Sequence, residues 1–74
     1  MEININVPAT FRRPDLMKKT LQVEEKMTVQ ELMDEFKISR SFVQFPLVNG
    51  EKVEMTHELK DCDSLKFMPM ITGG

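Results

Sequence analysis

The chain opens with Ile3, Ile5 and Val7 alternating with Glu2, Asn4 and Asn6. A period of two puts the apolar set on one side of an extended chain, so this stretch predicts a first strand with one buried face. From Pro8 to Lys19 the alternation stops, and Pro14-Asp15 marks a loop. It resumes at Leu21 and Val23, set among Thr20, Gln22 and Glu24, as a second short strand. The period then lengthens. Val29, Leu32, Met33 and Phe36 recur at spacings of three and four, with Gln30, Glu31, Asp34, Glu35 and Lys37 on the other side. That spacing predicts an amphipathic helix with Met33 and Phe36 in the core. Its start is set by Thr28-Val29-Gln30-Glu31, a capping box in which the Thr hydroxyl and the Glu carboxylate each take a free amide.

Residues 38–42 leave the helix, and Val43 to Val48 is an apolar run closed by Asn49-Gly50. Asn-Gly tolerates the positive φ angles of a tight hairpin turn, so third and fourth strands are expected to flank it. Pro46 has no N–H to give a ladder, which predicts an edge, a bulge or a side open to solvent. His57 to Ser64 is polar apart from Leu59 and contains a tight acidic turn, Asp61-Cys62-Asp63. Leu65 and Phe67 then alternate with Lys66 as the last strand. This order of strand, strand, helix, strand, strand, strand leaves one helix to cover one face of a sheet. The expected class is α+β: a β-grasp of the ubiquitin-like kind, a mixed sheet of four to five strands with one helix packed on one face. Residues 1–68 are expected to form the globular domain and 69–74 a flexible C-terminal tail ending in Gly-Gly.

Composition narrows the function. At 74 residues there is room for one domain, and a chain of this size buries only about 60% of its unfolded surface, so the core is small. With 41% hydrophobic and 30% charged residues it has the balance of a folded protein. A net charge of -2 argues against nucleic-acid binding, which needs a surplus of cations. Arg12, Arg13, Lys18 and Lys19 make a local basic stretch, read as a solvated loop because no aromatic platform is interleaved with it. The alternating N-terminus is neither a signal peptide nor a membrane span, so a cytoplasmic location is expected. One cysteine and one histidine cannot build a Cys/His zinc site or hold an iron-sulfur cluster, so no metal site is expected. Nor is there a glycine-rich loop to cradle phosphates, so any nucleotide-dependent step belongs to a partner.

No catalytic constellation stands out. Asp61 and Asp63 are close carboxylates, but turn chemistry explains them more simply than acid-base work or cation binding. Cys62 lies between their negative charges, which oppose the thiolate that attack requires. His57 has no serine or second histidine at a recognisable spacing. Met68 and Met70, either side of Pro69, suit either a core edge or a surface that packs on a partner. Beyond Pro69 the strand pattern ends, and the six residues to Gly74 reach at most about 20 Å when extended. Such a stalk can carry a terminal carboxyl into a deep site on another protein. Glycine, without a Cβ, passes constrictions and leaves its carbonyl carbon open to attack.

At this point the chain resembles the ubiquitin-like sulfur carriers of the ThiS/MoaD type. Leu59-Lys60-Asp61-Cys62-Asp63 is similar to the family's Leu-x-Asp-Gly-Asp turn, with Cys62 in place of the usual glycine. The end, Phe67-Met68-Pro69-Met70-Ile71-Thr72-Gly73-Gly74, is similar to the Phe-x-Pro-x-x-x-Gly-Gly terminus of the MoaD branch. Val48-Asn49-Gly50-Glu51 resembles the family's hairpin, and Pro8-Ala9-Thr10-Phe11-Arg12 a loop opening found in MoaD-like carriers. The resemblance implies a carrier without catalytic side chains, acting with partner enzymes. A ubiquitin-activating-type enzyme uses ATP to adenylate Gly74, and a sulfur donor such as a cysteine desulfurase system converts it to a thiocarboxylate. In the MoaD branch a larger catalytic subunit of molybdopterin synthase then accepts the tail. On this reading Gly74 carries the reacting group and Gly73 gives access, while Ile71 and Thr72 thread the channel. Phe67, Met68, Pro69 and Met70 would dock, with Phe45 and Leu47 as neighbours. Carriers for thiamine thiazole or cysteine synthesis, a protein modifier, and a plain β-grasp interaction domain are the alternatives.

Overall fold

The computed structural model describes residues 1–70. Its strands are β1 (Glu2–Asn6), β2 (Lys19–Gln22), β3 (Val43–Val48), β4 (Glu51–Lys52) and β5 (Asp63–Pro69), with the helix α1 at Val29–Glu35. They form one five-stranded sheet in the order β2-β1-β5-β3-β4. The β1–β5 pair is parallel and the other pairs antiparallel, so the sheet is mixed, as expected of a β-grasp.

Alternation in the central strands decides what is inside. Ile3 and Ile5 of β1 and Leu65 and Phe67 of β5 point to the helix side, where Val29, Leu32 and Met33 meet them. Burying a side chain of this size contributes about 1.5–3 kcal/mol, so this layer supplies most of what holds so short a chain folded. The capping box is formed: Thr28 Oγ1 accepts from the Glu31 N–H at 3.1 Å, and Glu31 accepts from the Thr28 N–H at 2.9 Å. Phe36 is a correction. It falls on the C-cap of α1 and is half-buried against the core rather than within it.

The stretch expected to be a loop does more than connect. Between β1 and β2 it makes two short 3-10 turns, Ala9–Phe11 and Pro14–Leu16, that bury Phe11 and Leu16. Arg13 is likewise not simply solvated. Its guanidinium donates to the Phe36 and Lys37 carbonyls, each at 2.9 Å, while pairing with Asp15 at 3.0 Å. The last carbonyls of a helix have no partner within it, and a cation there also suits the helix dipole.

Pro46 lies inside β3, which is not an edge strand. The Asn49 N–H donates to the Ser64 carbonyl at 2.8 Å, and alternation along the antiparallel pair therefore turns the Pro46 backbone away from β5. On that side β4 is only two residues long, and the Pro46 carbonyl accepts from the Val53 N–H at 3.2 Å. No ladder bond to β5 is lost. A register shift between Val43 and Phe45 also switches the strand's parity, so that Val43, Pro46 and Val48 all turn inward.

Candidate functional site

The helix covers one face of the sheet and leaves the other open. On the open face Phe45 of β3 stands opposite Met68 of β5, and Leu47 opposite Lys66. Phe45 and Leu47 are half-buried, and Met68 is 38% exposed. The Lys52 ammonium lies 4.9 Å from the centre of the Phe45 ring. Three of the residues expected to dock are thus brought together by register alone.

Phe67 is not among them. Odd positions of β5 turn to the helix, and Phe67 is only 2% exposed, with its ring 6.3 Å from that of Phe11. It packs behind the open face, almost closed to solvent, rather than standing on it as expected. Phe42 is instead open to solvent: it is 50% exposed, and its ring centre lies 5.7 Å from that of Phe11. An apolar residue outside the strand period was the available signal. Thr10, Phe11, Ser41, Phe42, Pro69 and Met70 line a cleft of about 240 Å³.

The body extends past the boundary expected after residue 68. Pro69 pairs with Val43, and the Met70 N–H donates to the Phe42 carbonyl at 2.9 Å. Ile71, Thr72, Gly73 and Gly74 lie outside the described residues.

The acidic turn is occupied with holding the fold. The Asp61 carboxylate accepts from the Glu2 N–H at 2.7 Å. Buried Asp63 accepts from the Asn49 side chain at 2.9 Å and from the Lys60 N–H at 2.8 Å, while Asn49 Oδ1 accepts from the Ser64 N–H. The turn is thereby fastened to β1 and to the hairpin. The hydrogen bond from Glu2 holds the Asp61 carboxyl below the usual range, and the Asp61 charge pushes the Cys62 thiol up. Cys62 is exposed but suppressed as a nucleophile. His57 contributes through its backbone, its carbonyl accepting from the Val29 N–H at 3.0 Å. Among the described residues no three His, Cys, Asp or Glu side chains gather as metal ligands, and no helix is long and apolar enough to cross a membrane.

The ThiS family profile matches residues 5–74. The chain belongs to the ThiS family. This places it among the ubiquitin-like sulfur carriers of the ThiS/MoaD type. Three solved structures share the fold of this ThiS-family chain. A protein described as molybdopterin converting factor, subunit 1, from Pyrococcus furiosus is 21% identical with a TM-score of 0.74, covering 96% of this chain and 99% of its own. SAMP1 from Haloferax volcanii is 19% identical with a TM-score of 0.73, over 100% of both chains. A thiamine biosynthesis protein from Geobacter metallireducens is 23% identical with a TM-score of 0.57, covering 100% of this chain and 88% of its own. No curated protein matches the chain.

Proposed function

We propose that this protein carries sulfur as a thiocarboxylate on Gly74. The observation behind this reading is the ThiS family match, which runs through residue 74 and so includes Gly73 and Gly74. The chain's own chemistry supports it, because a carrier needs an accessible carboxyl and a docking surface but no catalytic side chain. Asp61 and Asp63 are engaged with backbone and amide donors, and Cys62 is disfavoured as a thiolate.

In the proposed sequence the Gly74 carboxylate attacks the α-phosphorus of ATP on a ubiquitin-activating-type enzyme, and pyrophosphate leaves. A carboxylate is a poor electrophile, whereas its mixed anhydride with AMP has a good leaving group. A persulfide, supplied by a cysteine desulfurase system, attacks the acyl carbon and displaces AMP. A thiol then cleaves the sulfur-sulfur bond and frees the thiocarboxylate. The acceptor we propose is the larger subunit of a molybdopterin synthase, on the strength of the Phe67-x-Pro69-x-x-x-Gly73-Gly74 pattern. In that assembly Phe45, Leu47, Met68 and Met70 dock, with Pro69 at the base of the tail and Ile71 and Thr72 in the channel.

Intact-protein mass spectrometry tests the first part, on the chain incubated with the adenylating enzyme, ATP and a persulfide donor. The expected result is a gain equal to exchanging one oxygen for sulfur, mapped to the C-terminal peptide and lost when Gly74 is deleted. An unmodified tail would overturn the reading, and Gly-Gly branches on target lysines would make the chain a protein modifier. Conversion of a pterin precursor with the larger subunit tests the acceptor.

A further inference from the structure

The sheet ends on β2 at one side and on β4 at the other, and the two edges differ. β4 is two residues long and offers little to pair with. Beside the end of β2 the Val23 N–H donates to the Met1 carbonyl at 2.8 Å, and the Met1 ammonium donates back to the Val23 carbonyl at 2.6 Å. Along an antiparallel ladder such mutual pairs alternate with pairs whose backbone groups turn outward. Gln22 stands opposite Glu2, Leu21 opposite Ile3 and Thr20 opposite Asn4, so the N–H and C=O groups of Gln22 and Thr20 face the open edge. Glu2 agrees with this phase, because its own N–H and C=O are taken by Asp61 and Cys62 on its other side.

Beside this edge a cleft of about 240 Å³ runs between the end of β2 and the end of α1, lined by Gln22, Val23, Glu24, Met27, Glu35 and Phe36. Val23, Met27 and Phe36 are half-buried against the core and give it an apolar floor. Glu24 and Glu35 are exposed, and no cation is among the lining residues. Residues 22–37 hold five carboxylates, on Glu24, Glu25, Glu31, Asp34 and Glu35, against the two ammoniums of Lys26 and Lys37. That local excess is larger than the -2 of the whole chain. The guanidinium at this end of the helix, Arg13, is engaged with Asp15 and with the Phe36 and Lys37 carbonyls.

We propose that the β2 edge and this cleft take an extended basic segment of another protein, added to the sheet as a sixth strand. In strand addition the main chain supplies hydrogen bonds and pockets for alternate side chains supply selectivity. Gln22 and Thr20 provide two donors and two acceptors. An apolar side chain of the segment enters the cleft over Val23, Met27 and Phe36, and Lys or Arg beside it pairs with Glu24 and Glu35. An acidic segment is excluded by like charge. The four-residue length of β2 and Lys19 at its start work against indiscriminate edge pairing, so backbone pairing has to be combined with the cleft. Phe45, Leu47 and Met68 stand on β3 and β5, away from this edge. The inference is therefore independent of the carrier reading.

The test is an NMR titration of the isotope-labelled full chain with a capped synthetic peptide, Arg-Val-Arg-Ile-Arg-Val, at low and physiological salt, with Glu-Val-Glu-Ile-Glu-Val as the control. Saturable amide shifts should centre on Thr20, Gln22 and Phe36, with hydrogen exchange slowed at the Thr20 and Gln22 amides. Glu24→Lys/Glu35→Lys should weaken binding roughly tenfold or more at low salt, with the gap narrowing as salt rises. Gln22→Pro removes an outward N–H without removing a bond to β1, and should weaken binding roughly fivefold. Thermal unfolding of each variant reports whether it is folded. Absence of binding, equal binding of the glutamate peptide, glutamate reversals that bind as tightly as wild type, or shifts confined to Phe45, Leu47 and Met68 would each overturn the site. So would a dimer of the chain paired through β2 that the arginine peptide does not displace.

Discussion

The two faces of this sheet are built from the same strands, residue by residue, and they serve opposite ends. On the helix side Ile3, Ile5, Leu65 and Phe67 are 0–2% exposed and meet α1 in a closed apolar layer. On the other side Asn4, Lys66 and Met68 stand in the next positions of the same strands, with Leu47 of β3 opposite Lys66, all partly or wholly in water. A strand commits alternate residues to opposite environments, so a chain too short for a second layer has one face to hold the fold and one to offer. Stability should therefore be concentrated on one face and recognition on the other.

The sharpest way to break this division is a matched pair of truncations. Leu65→Ala should cost about 2–5 kcal/mol in urea denaturation, a large share of the stability of so small a domain. Leu47→Ala should cost under about 1 kcal/mol, in line with partly exposed sites, yet weaken binding to the adenylating enzyme. If the two variants lose stability equally, the faces are not specialised.

A second probe lies outside the sheet. Arg13→Ala removes two hydrogen bonds to the carbonyls at the end of α1, and should cost about 1 kcal/mol in the same denaturation while leaving partner binding intact.

Smaller effects come from the acidic turn. Asp61 is held below the usual carboxylate range by the Glu2 N–H, so its contribution is fully present above the unfolded value of about 3.9 and is lost as pH falls through the lowered folded value. Asp61→Ala should flatten the acid limb of stability against pH, measured by urea midpoints. The Cys62 thiol is pushed up by the Asp61 charge, so alkylation by iodoacetamide at neutral pH should be slower than for an unstructured cysteine and should quicken in Asp61→Ala.

The smallest concerns the backbone. Cys62 has φ of 70°, a left-handed conformation in which a side chain is strained. Cys62→Gly should raise the melting temperature by a few degrees at most, because glycine relieves the strain but loses more chain entropy on folding.

Much of this architecture was legible because local patterns carry it. The alternation of Ile3 and Ile5, the Thr28-Glu31 capping box and the Asn49-Gly50 turn, with φ of 52° and 85°, each act within a few residues. What stayed hidden depends on residues distant in sequence. Phe11 and Leu16 sit in a stretch without periodicity and are buried because the chain folds back over the core. Arg13 looks solvated until the helix end arrives beside it, and Phe67 looks like part of a docking end until the parity of β5 turns it inward.

Fold class, element order and family likeness could be read in advance, since hydrophobic period, turn chemistry and terminal pattern are local properties of the chain. Which side of each strand faces the helix, where Pro46 is tolerated, and that Lys52 and Lys66 flank Leu47 emerge only when the strands assemble. Those facts follow from strand order and register, and register joins residues that the chain keeps tens of positions apart.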